Sequence, residues 1–477
     1  MVWDGSRVLV AGLGISGRAA AQVLAAQGAR VTTYDDAAAD ADERDATALL
    51  ARDGLAGVDL VVTSPGLRPT HPVLAAALAR GIEVVSEVEL AWRLRVDRTA
   101  GGGPAPWLAV TGTNGKTTTV GMLASILQAN GERAAAVGNV GSPIVLAATD
   151  PSLDVLAVEL SSFQLHFTHT VSAQAGAVLN IAPDHLDWHG SLKAYTADKG
   201  RIFERAQVAC VYNVADDATR RLVEGADVVE GAVAVGFTLG APAVGQVGLV
   251  AGVLVDRAFA ARRHTHAVEL ATLADLAQLA GPGDRVAPHV VADALAAAAL
   301  ALAHGVPPTA IAEGLRAFGP GAHRIVTVAT VDGVAYVDDS KATNAHAAAA
   351  ALAAFPERSV VWIAGGLAKG ATFDDLVRMR RDRLVGVVLI GADREPLAGA
   401  LARHAPQVPV IQVAATDTGD VMTPAVSAAR GLAAGVPAGT QATVLLAPAC
   451  ASMDQFVSYA DRGDRFADAV RGLTEGA

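Results

Sequence analysis

The sequence predicts an α/β protein with three domains, and three observations support this fold class. Short apolar runs alternate with Ala- and Leu-rich helical stretches from end to end, which is typical of parallel α/β layers. Two segments rich in Gly and Pro, at 101–106 and 318–321, interrupt the alternation. A length of 477 residues fits three domains of about 150 residues each. We therefore expect domains at 1–103, 104–320 and 321–477.

Composition narrows the class of partner. A net charge of −11 argues against a general nucleic-acid binder or a binder of anionic membranes. The two cysteines, Cys210 and Cys450, cannot form a disulfide framework, so a reducing cytoplasm is the simplest setting. No signal-peptide pattern precedes the first strand-like run, and the Ala-rich stretch 294–303 is typical of a packed helix. We expect a cytoplasmic monomer that binds small molecules, with no nucleic-acid and no membrane partner.

A glycine-rich turn follows the first predicted strand and reads Gly12-Leu-Gly14-Ile-Ser-Gly17. It opens a predicted helix over 18–27, so a pyrophosphate can approach its backbone and meet the N–H groups of the helix N-terminus. Asp35 follows the next strand, and a second turn, Ser64-Pro-Gly66, follows the one after it. The pattern predicts a nucleotide crevice. It leaves open a nicotinamide cofactor, another nucleotide, or tight turns without a ligand.

The middle domain opens with a variant phosphate-binding loop between a predicted strand and a predicted helix. Its sequence is Gly112-Thr113-Asn114-Gly115-Lys116-Thr117-Thr118. Backbone N–H groups of such a loop surround phosphates, Lys116 reaches the terminal phosphates, and the Thr117 hydroxyl ligates magnesium. The strict P-loop has a glycine where this chain has Val110, so the loop is a shortened variant. We expect a nucleoside triphosphate with Mg²⁺ at this loop.

Lysine is rare in this chain. Only five of the 37 basic residues are lysines, and four of the five lie in motif-like stretches: Lys116, Lys199, Lys341 and Lys369. Arginine cannot replace a compact or reactive amine, so the retained lysines indicate chemistry. From the residues alone, however, Lys199 is expected to begin a helix as an ordinary solvated charge.

Two further candidates follow predicted strands of the middle domain. Glu159 ends a strand, where a P-loop protein places its second magnesium contact. His185 lies in the stretch 180–189 and is either a packed loop histidine or a ligand of a second metal ion, which we prefer. The spacing matches no standard zinc pattern.

Three predicted strands of the C-terminal segment end in polar residues. Because the carboxyl ends of parallel strands form the binding crevice of a sheet, we expect these residues to converge. The candidate donors to a carboxylate ligand are Lys341, Thr343, Lys369 and Ser452.

Taken together, these motifs resemble those of the Mur ligases, the ATP-dependent amide ligases of peptidoglycan synthesis, over essentially the whole chain. The stretches 159–164, 339–344 and 449–456 resemble the D-glutamate-adding branch more narrowly. The resemblance implies a Rossmann-like first domain, a P-loop ATPase-like middle domain and a Rossmann-like C-terminal domain. It also implies ATP and two Mg²⁺ ions as cofactors. The reaction it implies joins D-glutamate to UDP-N-acetylmuramoyl-L-alanine through an acyl-phosphate intermediate.

The resemblance further implies roles for individual residues. The UDP-substrate site comprises Gly14, Ile15, Ser16, Asp35, Ser64, Gly66 and Asn139, with His185 nearer the muramoyl-alanyl end. The ATP site comprises Gly112, Thr113, Asn114, Gly115, Lys116, Thr117, Thr118, Arg324 and Asp339, with His323 beside Arg324. The D-glutamate site comprises Lys341, Thr343, Lys369, Ser452 and Tyr459. The catalytic residues are Lys116, Glu159, His185 and Lys199.

Magnesium is implied to be held by Thr117, Glu159, His185 and Lys199. For Lys199 the resemblance implies a carbamate formed with carbon dioxide. A carbamate is anionic and can ligate magnesium, whereas an ammonium would repel it.

One departure from the family pattern concerns the nucleotide. Val290 and Asp293 stand where the family usually has two asparagines that contact the adenine side, so nucleotide affinity or base preference is open. Rival functions are a ligase for another amino acid, a folylpolyglutamate synthetase, a nicotinamide dehydrogenase with an accessory P-loop, and a nucleotide-sugar-binding regulator. Sites spread over three domains also predict domain closure, because water would hydrolyse an acyl phosphate.

Overall fold

The computed structural model describes residues 3–281, 285–319, 325–414 and 420–475. The chain divides into two compact units, Met1–Asp275 with Val290–Phe318, and Leu276–His289 with Gly319–Ala477. Each predicted domain contains one large sheet with parallel strands and flanking helices, so the predicted α/β class is confirmed. The domain boundaries near 103 and 320 stay predictions.

The first sheet is fully parallel, with strand order β2-β1-β3-β4. Strands β1, β3 and β4 have buried apolar centres, as expected for a sheet covered on both faces, whereas the edge strand β2 is buried only at Tyr34. The elements are β1 (Arg7–Ala11), α1 (Ile15–Ala26), β2 (Arg30–Tyr34), α2 (Ala46–Ala51), β3 (Leu60–Thr63), α3 (Pro72–Ala79), β4 (Glu83–Ser86) and α4 (Glu87–Leu94).

The middle domain begins with elements that alternate as the sequence predicts. They are β5 (Trp107–Thr111), α5 (Lys116–Ala129), β6 (Ala134–Gly138), α6 (Ile144–Ala148), β7 (Val155–Glu159), α7 (Ser162–His166), β8 (Ala175–Val178), α8 (Leu186–His189), α9 (Leu192–Gly200), a 3-10 turn (Arg201–Phe203), β9 (Ala209–Asn213) and α10 (Asp217–Glu224).

Residues 218–280 show only weak strand patterns in the sequence. In the structure they contain four further strands. They are β10 (Val233–Phe237), β11 (Gln246–Val250), β12 (Val253–Asp256) and β13 (Val268–Thr272). The nine strands follow the order β13-β12-β11-β10-β9-β8-β5-β7-β6, and only β11, β12 and β13 pair antiparallel. After β13 come a 3-10 helix (Leu273–Leu279), β14 (Ala280–Gly281), β15 (Arg285–Val286), α11 (Pro288–His304) and α12 (Pro308–Ala317).

Helix α12 packs closely on α5, the helix that follows the phosphate-binding loop. A Cβ on Gly314 would lie 2.3 Å from the Cα of Ile126, so only glycine permits this approach. The hydroxyl of Ser125 donates a 2.7 Å hydrogen bond to the carbonyl of Gly314. This contact fixes α5, and with it the loop that α5 begins from.

The C-terminal sheet has six strands in the order β16-β17-β21-β18-β19-β20, antiparallel only between β16 and β17. Its core includes Trp362, whose indole N–H donates a 2.7 Å hydrogen bond to the carbonyl of Ala447. The elements are β16 (Val326–Val331), β17 (Val334–Asp338), α13 (Ala345–Ala353), β18 (Val360–Gly365), α14 (Asp374–Arg380), a 3-10 turn (Arg381–Arg383), β19 (Leu384–Ile390), α15 (Glu395–His404), β20 (Val410–Gln412), α16 (Met422–Ala433), β21 (Ala442–Leu446) and α17 (Tyr459–Glu475).

Two smaller findings concern the cysteines and the helices. Cys210 and Cys450 are both free and buried. Within the described part of the chain, no helix combines the length and the apolar character needed to cross a lipid bilayer.

Candidate functional site

The phosphate-binding loop follows β5, whose five residues are all buried. The chain leaves the strand at Gly112, with φ 152°, and enters α5 at Gly115, with φ 85°, both of which favour glycine. The amide of Asn114 donates a 2.9 Å hydrogen bond to the side-chain oxygen of Asn180. The Thr113 hydroxyl lies 3.0 Å from that of Tyr195. The protein's own contacts therefore define the shape of the loop.

Lys116 lies across this loop. Its Nζ donates hydrogen bonds to the carbonyls of Gly112 and Thr113, each 2.9 Å long. The ammonium is therefore held beside the backbone of the loop that the sequence predicts to bind phosphate. Gly115 of the same loop packs closely against the buried Asp293, one of the two residues that depart from the family pattern. A Cβ on Gly115 would lie 2.3 Å from Oδ1 of Asp293, so a larger residue would clash there.

Lys199 shares an acceptor with Lys116. The expectation that Lys199 is a solvated charge at the start of a helix is wrong: it lies near the end of α9 and is 2% exposed. Its Nζ donates a 2.8 Å hydrogen bond to the carbonyl of Gly112. Burial, followed by the positive charge of Lys116, lowers the pKa of Lys199 well below its usual value, against the attraction of Asp184, Glu159 and Asp198.

Glu159, at the end of β7, is buried and has one unsatisfied oxygen. Its Oε1 accepts a 2.9 Å hydrogen bond from the side-chain amide of Asn139, which joins two predicted site residues. Its Oε2 is buried and has no hydrogen-bond partner among the described residues. A buried carboxylate oxygen without a donor is unfavourable, so it fits a position that faces a cation.

His185 begins α8 with a left-handed backbone, at φ 51°. Its ring packs edge-on against Phe163, with ring centroids 4.7 Å apart, and its Nε2 lies 3.7 Å from Oδ2 of Asp184. His185 is therefore packed against Phe163, and its role as a metal ligand stays a prediction. No group of three or more His, Cys, Asp or Glu side chains forms a metal site in the described ranges. The predicted magnesium set has only two such residues, Glu159 and His185.

A hydrogen-bonded chain that sequence reasoning missed lies directly beside Lys199. Asp198 accepts from Nδ1 of His166 and Nδ1 of His189, each at 2.9 Å, and Nε2 of His189 lies 2.9 Å from the Ser162 hydroxyl. Burial raises the pKa of Asp198, but the hydrogen bonds from the two histidines outweigh burial and lower it overall. These hydrogen bonds tie α7 to α9 and so hold Lys199 in place.

The glycine-rich fingerprint turn at 12–17 is held in place by side chains that follow the neighbouring strands. The backbone amide of Leu13 donates a 2.6 Å hydrogen bond to Asp35, and the hydroxyl of Ser64 donates a 2.7 Å hydrogen bond to the carbonyl of Gly12. Of the predicted UDP-site residues, Ile15 is 79% exposed and Gly14 and Gly66 are also exposed. The turns at the ends of β1, β2 and β3 therefore form one edge of the sheet, as the sequence predicts.

Glu87, which no sequence motif marks, lies beneath this edge. It is 1% exposed, accepts a 3.2 Å hydrogen bond from the amide of Val145, and interacts with the Ser16 hydroxyl. Burial raises the pKa of Glu87, against these hydrogen bonds. The residue links the fingerprint turn to α6 of the middle domain.

Backbone hydrogen bonds join three loops of the C-terminal sheet, those that follow β17, β18 and β21. Leu367 and Ala451 exchange amide-to-carbonyl bonds of 2.9 and 3.1 Å, and the amide of Ala449 donates to the carbonyl of Ala342 at 2.9 Å. The Nζ of Lys341 lies 3.8 Å from the ring centroid of Tyr459. Two predicted D-glutamate residues are thus in contact.

The other predicted residues of this unit lie on the same loops or outside the described residues. Ser452 is buried, Thr343 is partly buried, and Lys369 is exposed with φ 50°. Asp339 is buried after β17. His323 and Arg324 lie outside the described residues.

Comparisons with known proteins fit this geometry. Family models match the chain as "Mur ligase MurD-like, N-terminal domain" over residues 6–86 and "Mur ligase middle domain" over residues 110–300. The chain is 58% identical to the UDP-N-acetylmuramoylalanine–D-glutamate ligase of Streptomyces avermitilis, with 99% of each chain covered. The chain belongs to the Mur ligase family. A ligase of the same name from Thermobifida fusca is 53% identical to this Mur ligase, covering 98% of this chain and 99% of the relative.

Solved structures with low sequence identity show the same fold. The UDP-N-acetylmuramate-alanine ligase MurC of Thermotoga maritima is 17% identical, with a TM-score of 0.55 over 98% of this Mur ligase and 99% of that chain. A pseudomurein peptide ligase type C of Methanothermus fervidus is 18% identical, with a TM-score of 0.57 over 98% and 100%. This Mur ligase therefore has the N-terminal, middle and C-terminal organisation of its family.

Proposed function

We propose that this Mur ligase adds D-glutamate to UDP-N-acetylmuramoyl-L-alanine at the expense of ATP, as a step of peptidoglycan precursor synthesis. The structural observation that carries the proposal is the convergence of Lys116 and Lys199 on the carbonyl of Gly112. Both amines lie at a phosphate-binding loop, and Lys199 is within electrostatic reach of Glu159. The relative that is 58% identical over nearly the whole chain bears the name of this activity.

The reaction has two chemical steps. A carboxylate oxygen of the muramoyl-alanine attacks the γ-phosphorus of ATP, and the bond from that phosphorus to the ADP oxygen breaks. The amine of D-glutamate, after losing a proton, attacks the acyl carbon of the resulting acyl phosphate. The carbon–oxygen bond then breaks and phosphate leaves with the former carboxylate oxygen. Lys116 contributes by neutralising charge on the phosphoryl group, which is the main contribution a protein makes to such transfers.

The residues present fit a magnesium site. The unpartnered Oε2 of Glu159 is a buried anionic oxygen of the kind that Mg²⁺ takes as a ligand. We propose Thr117, His185 and Lys199 as the other contributors. Magnesium, when bound, withdraws negative charge from the phosphates during transfer.

Lys199 fits carbamylation. The reaction with carbon dioxide needs a neutral amine, and burial beside Lys116 lowers the pKa of Lys199. The carbamate form would be an anion beside the positive charge of Lys116, and its oxygens could serve as magnesium ligands. We propose that this form, not the ammonium, is the working state.

We propose one group of contact residues for each of the three substrates, according to the sheet whose loops carry those residues. We propose that the turns carrying Gly14, Ile15, Ser16, Asp35, Ser64 and Gly66, together with Asn139, bind the UDP substrate. We propose that the phosphate-binding loop at 112–118 binds ATP, and Arg324 and Asp339 stay predicted ATP contacts. Lys341, Thr343, Lys369, Ser452 and Tyr459 bind D-glutamate; contact between Lys341 and Tyr459 supports this group.

Phosphate release tests the proposal. The full chain, ATP, Mg²⁺ and UDP-N-acetylmuramoyl-L-alanine are incubated with D-glutamate, L-glutamate, L-alanine, L-lysine or meso-diaminopimelate. D-glutamate alone is expected to stimulate release. Stimulation by another amino acid instead would favour a different ligase, and oxidation or reduction of a nicotinamide without phosphate release would favour the dehydrogenase.

We also propose that the protein works as a monomer in the cytoplasm, where its nucleotide substrates are available. Light scattering behind size-exclusion chromatography tests the first statement against the monomer mass of 48.2 kDa. Fractionation of cells that produce the protein tests the second.

A further inference from the structure

Helix α17 carries a charged residue on its buried face. Arg462, Phe466 and Val470 are spaced four residues apart, so they share one side of the helix, and all three are 0% exposed. An arginine at such a position is unusual, because desolvation of a guanidinium is costly and an apolar side chain of similar length would pack there without that cost.

Every hydrogen bond of the Arg462 side chain within the described residues ends on one of two loops. Its Nε donates to the hydroxyl of Ser340 at 2.9 Å, one terminal nitrogen donates to the carbonyl of Ser340 at 2.8 Å, and the other donates to the carbonyl of Cys450 at 3.1 Å. None of these acceptors is a carboxylate. The guanidinium is therefore used as a planar fork that spans two backbone segments.

The two loops are those proposed to bind the amino acid. Ser340 directly precedes Lys341 after β17, and Cys450 lies two residues before Ser452 after β21. The Ser340 hydroxyl also donates a 2.8 Å hydrogen bond to the carbonyl of Tyr459. One buried side chain thus fixes three of the five proposed D-glutamate residues relative to one another.

Its charge is retained in this position. Burial lowers the pKa of Arg462 to about 10, so the guanidinium stays protonated at neutral pH. A positive charge beneath loops proposed to receive an amino acid with two carboxylates favours that ligand electrostatically, and the negative charges of Asp338 and Asp454 offset part of this effect.

We propose that Arg462 is a positioning and specificity-determining residue of the amino-acid site, which sets the spacing of the β17 and β21 loops for an amino acid with two carboxylates. The inference rests on the proposed function, because it takes D-glutamate as the ligand of these loops. Arg462 itself is fully buried and does not touch the substrate.

The test measures KM for each substrate in the full-length protein and in variants. Arg462→Met removes the charge and the fork, and we expect KM for D-glutamate to rise roughly 10- to 100-fold, as for loss of buried charged hydrogen bonds. KM for ATP and for the nucleotide sugar should change less than about twofold. Arg462→Lys keeps the charge without the fork and should restore only part of the affinity.

Two further variants keep the test decisive if Arg462→Met does not fold. Ser340→Ala removes the hydroxyl that accepts from Arg462 and donates to the carbonyl of Tyr459, and it should raise KM for D-glutamate a few-fold. Arg471→Met, at an exposed position of the same helix, is the matched control and should leave all three KM values unchanged. Thermal unfolding of each variant shows whether it is folded.

The outcomes separate the two proposals. If the wild-type protein shows no phosphate release that depends on D-glutamate, the proposed function fails, and this inference fails with it. If the wild type uses D-glutamate but Arg462→Lys and Ser340→Ala keep its KM, or raise all three KM values equally, the inference alone is overturned.

Discussion

Replacing Lys199 by methionine separates its role in chemistry from its role in the core. Methionine has a similar length and is apolar, so it can occupy the buried space without a charge. We expect Lys199→Met to lose much of its activity and little of its stability, because carbamylation needs the amine whereas packing of the core does not.

The structure gives the size of each effect. The Nζ of Lys199 donates a good hydrogen bond to Gly112 at 2.8 Å and a weak one to Thr111 at 3.4 Å. Their loss costs about 1–2 kcal/mol, and removal of a desolvated amine offsets part of that, so stability should change by less than about 2 kcal/mol. Loss of a magnesium ligand should lower kcat about 100-fold or more, a barrier increase of about 2.7 kcal/mol.

The assay combines kinetics, unfolding and a direct probe of the modification. Phosphate release gives kcat, denaturant unfolding gives stability, and ¹³C NMR after exposure to labelled bicarbonate detects a carbamate. The matched control is Lys193→Met, which alters an exposed lysine of the same helix and should be silent in all three measurements. Lys199→Ala should regain part of its activity when formate or acetate is added, since a small carboxylate can replace the carbamate.

Three results would contradict the proposed role of Lys199. Full activity of Lys199→Met would show that no ligand is supplied from this position. A loss of kcat that merely follows unfolding would make Lys199 a structural residue. Absence of a carbamate signal in an active wild-type protein would remove the proposed working state.

Three other predictions concern the N-terminal turn, the magnesium position and a buried acid. Gly17→Ala should cost about 3 kcal/mol in denaturant unfolding, because its Cβ would lie 1.8 Å from the carbonyl of Gly12, whereas Gly14→Ala, with nothing within 4 Å, should cost less than about 0.5 kcal/mol; equal costs would contradict this. Glu159→Gln should raise the Mg²⁺ concentration for half-maximal activity about 10- to 100-fold, and an unchanged requirement would rule out Glu159 as a ligand. Burial raises the pKa of Glu87, so the folded protein binds more protons than the unfolded chain above the ordinary glutamate pKa of about 4.3, and stability falls as pH rises through that window. Glu87→Gln removes this fall, so its Tm relative to wild type should increase from pH 5 to pH 8, and a constant difference would contradict the assignment.

Local sequence signals were sufficient for much of the fold. Alternating apolar runs and glycine turns predict the α/β class, and they predict a strand directly before Asp35, which is β2 (Arg30–Tyr34), because strand ends and turns are encoded by nearby residues. Helix α1 begins at Ile15, not at residue 18, since Ser16 and Gly17 can occupy the first turn of a helix despite their low propensity. The strands β10–β13 are hard to predict because each has only four or five residues, and β10 and β11 contain a glycine, which is unfavourable in a strand.

Features that depend on tertiary contacts were harder to predict. The burial of Lys199 arises from a loop 87 residues away in sequence, so its own helix gives no sign of it. The Asp198 chain also joins distant residues, with His166 32 positions away. Arg462 could have been found, because its spacing to Phe466 and Val470 places it on an apolar helix face.

The fate of one oxygen atom shows whether the substrate carboxylate is phosphorylated during the reaction. UDP-N-acetylmuramoyl-L-alanine is labelled with ¹⁸O in its alanyl carboxylate and turned over with ATP and D-glutamate, and the released phosphate is analysed by mass spectrometry. Transfer of the γ-phosphoryl group to the carboxylate predicts one ¹⁸O atom in each phosphate. Amide product accompanied by unlabelled phosphate would show that the carboxylate is never phosphorylated.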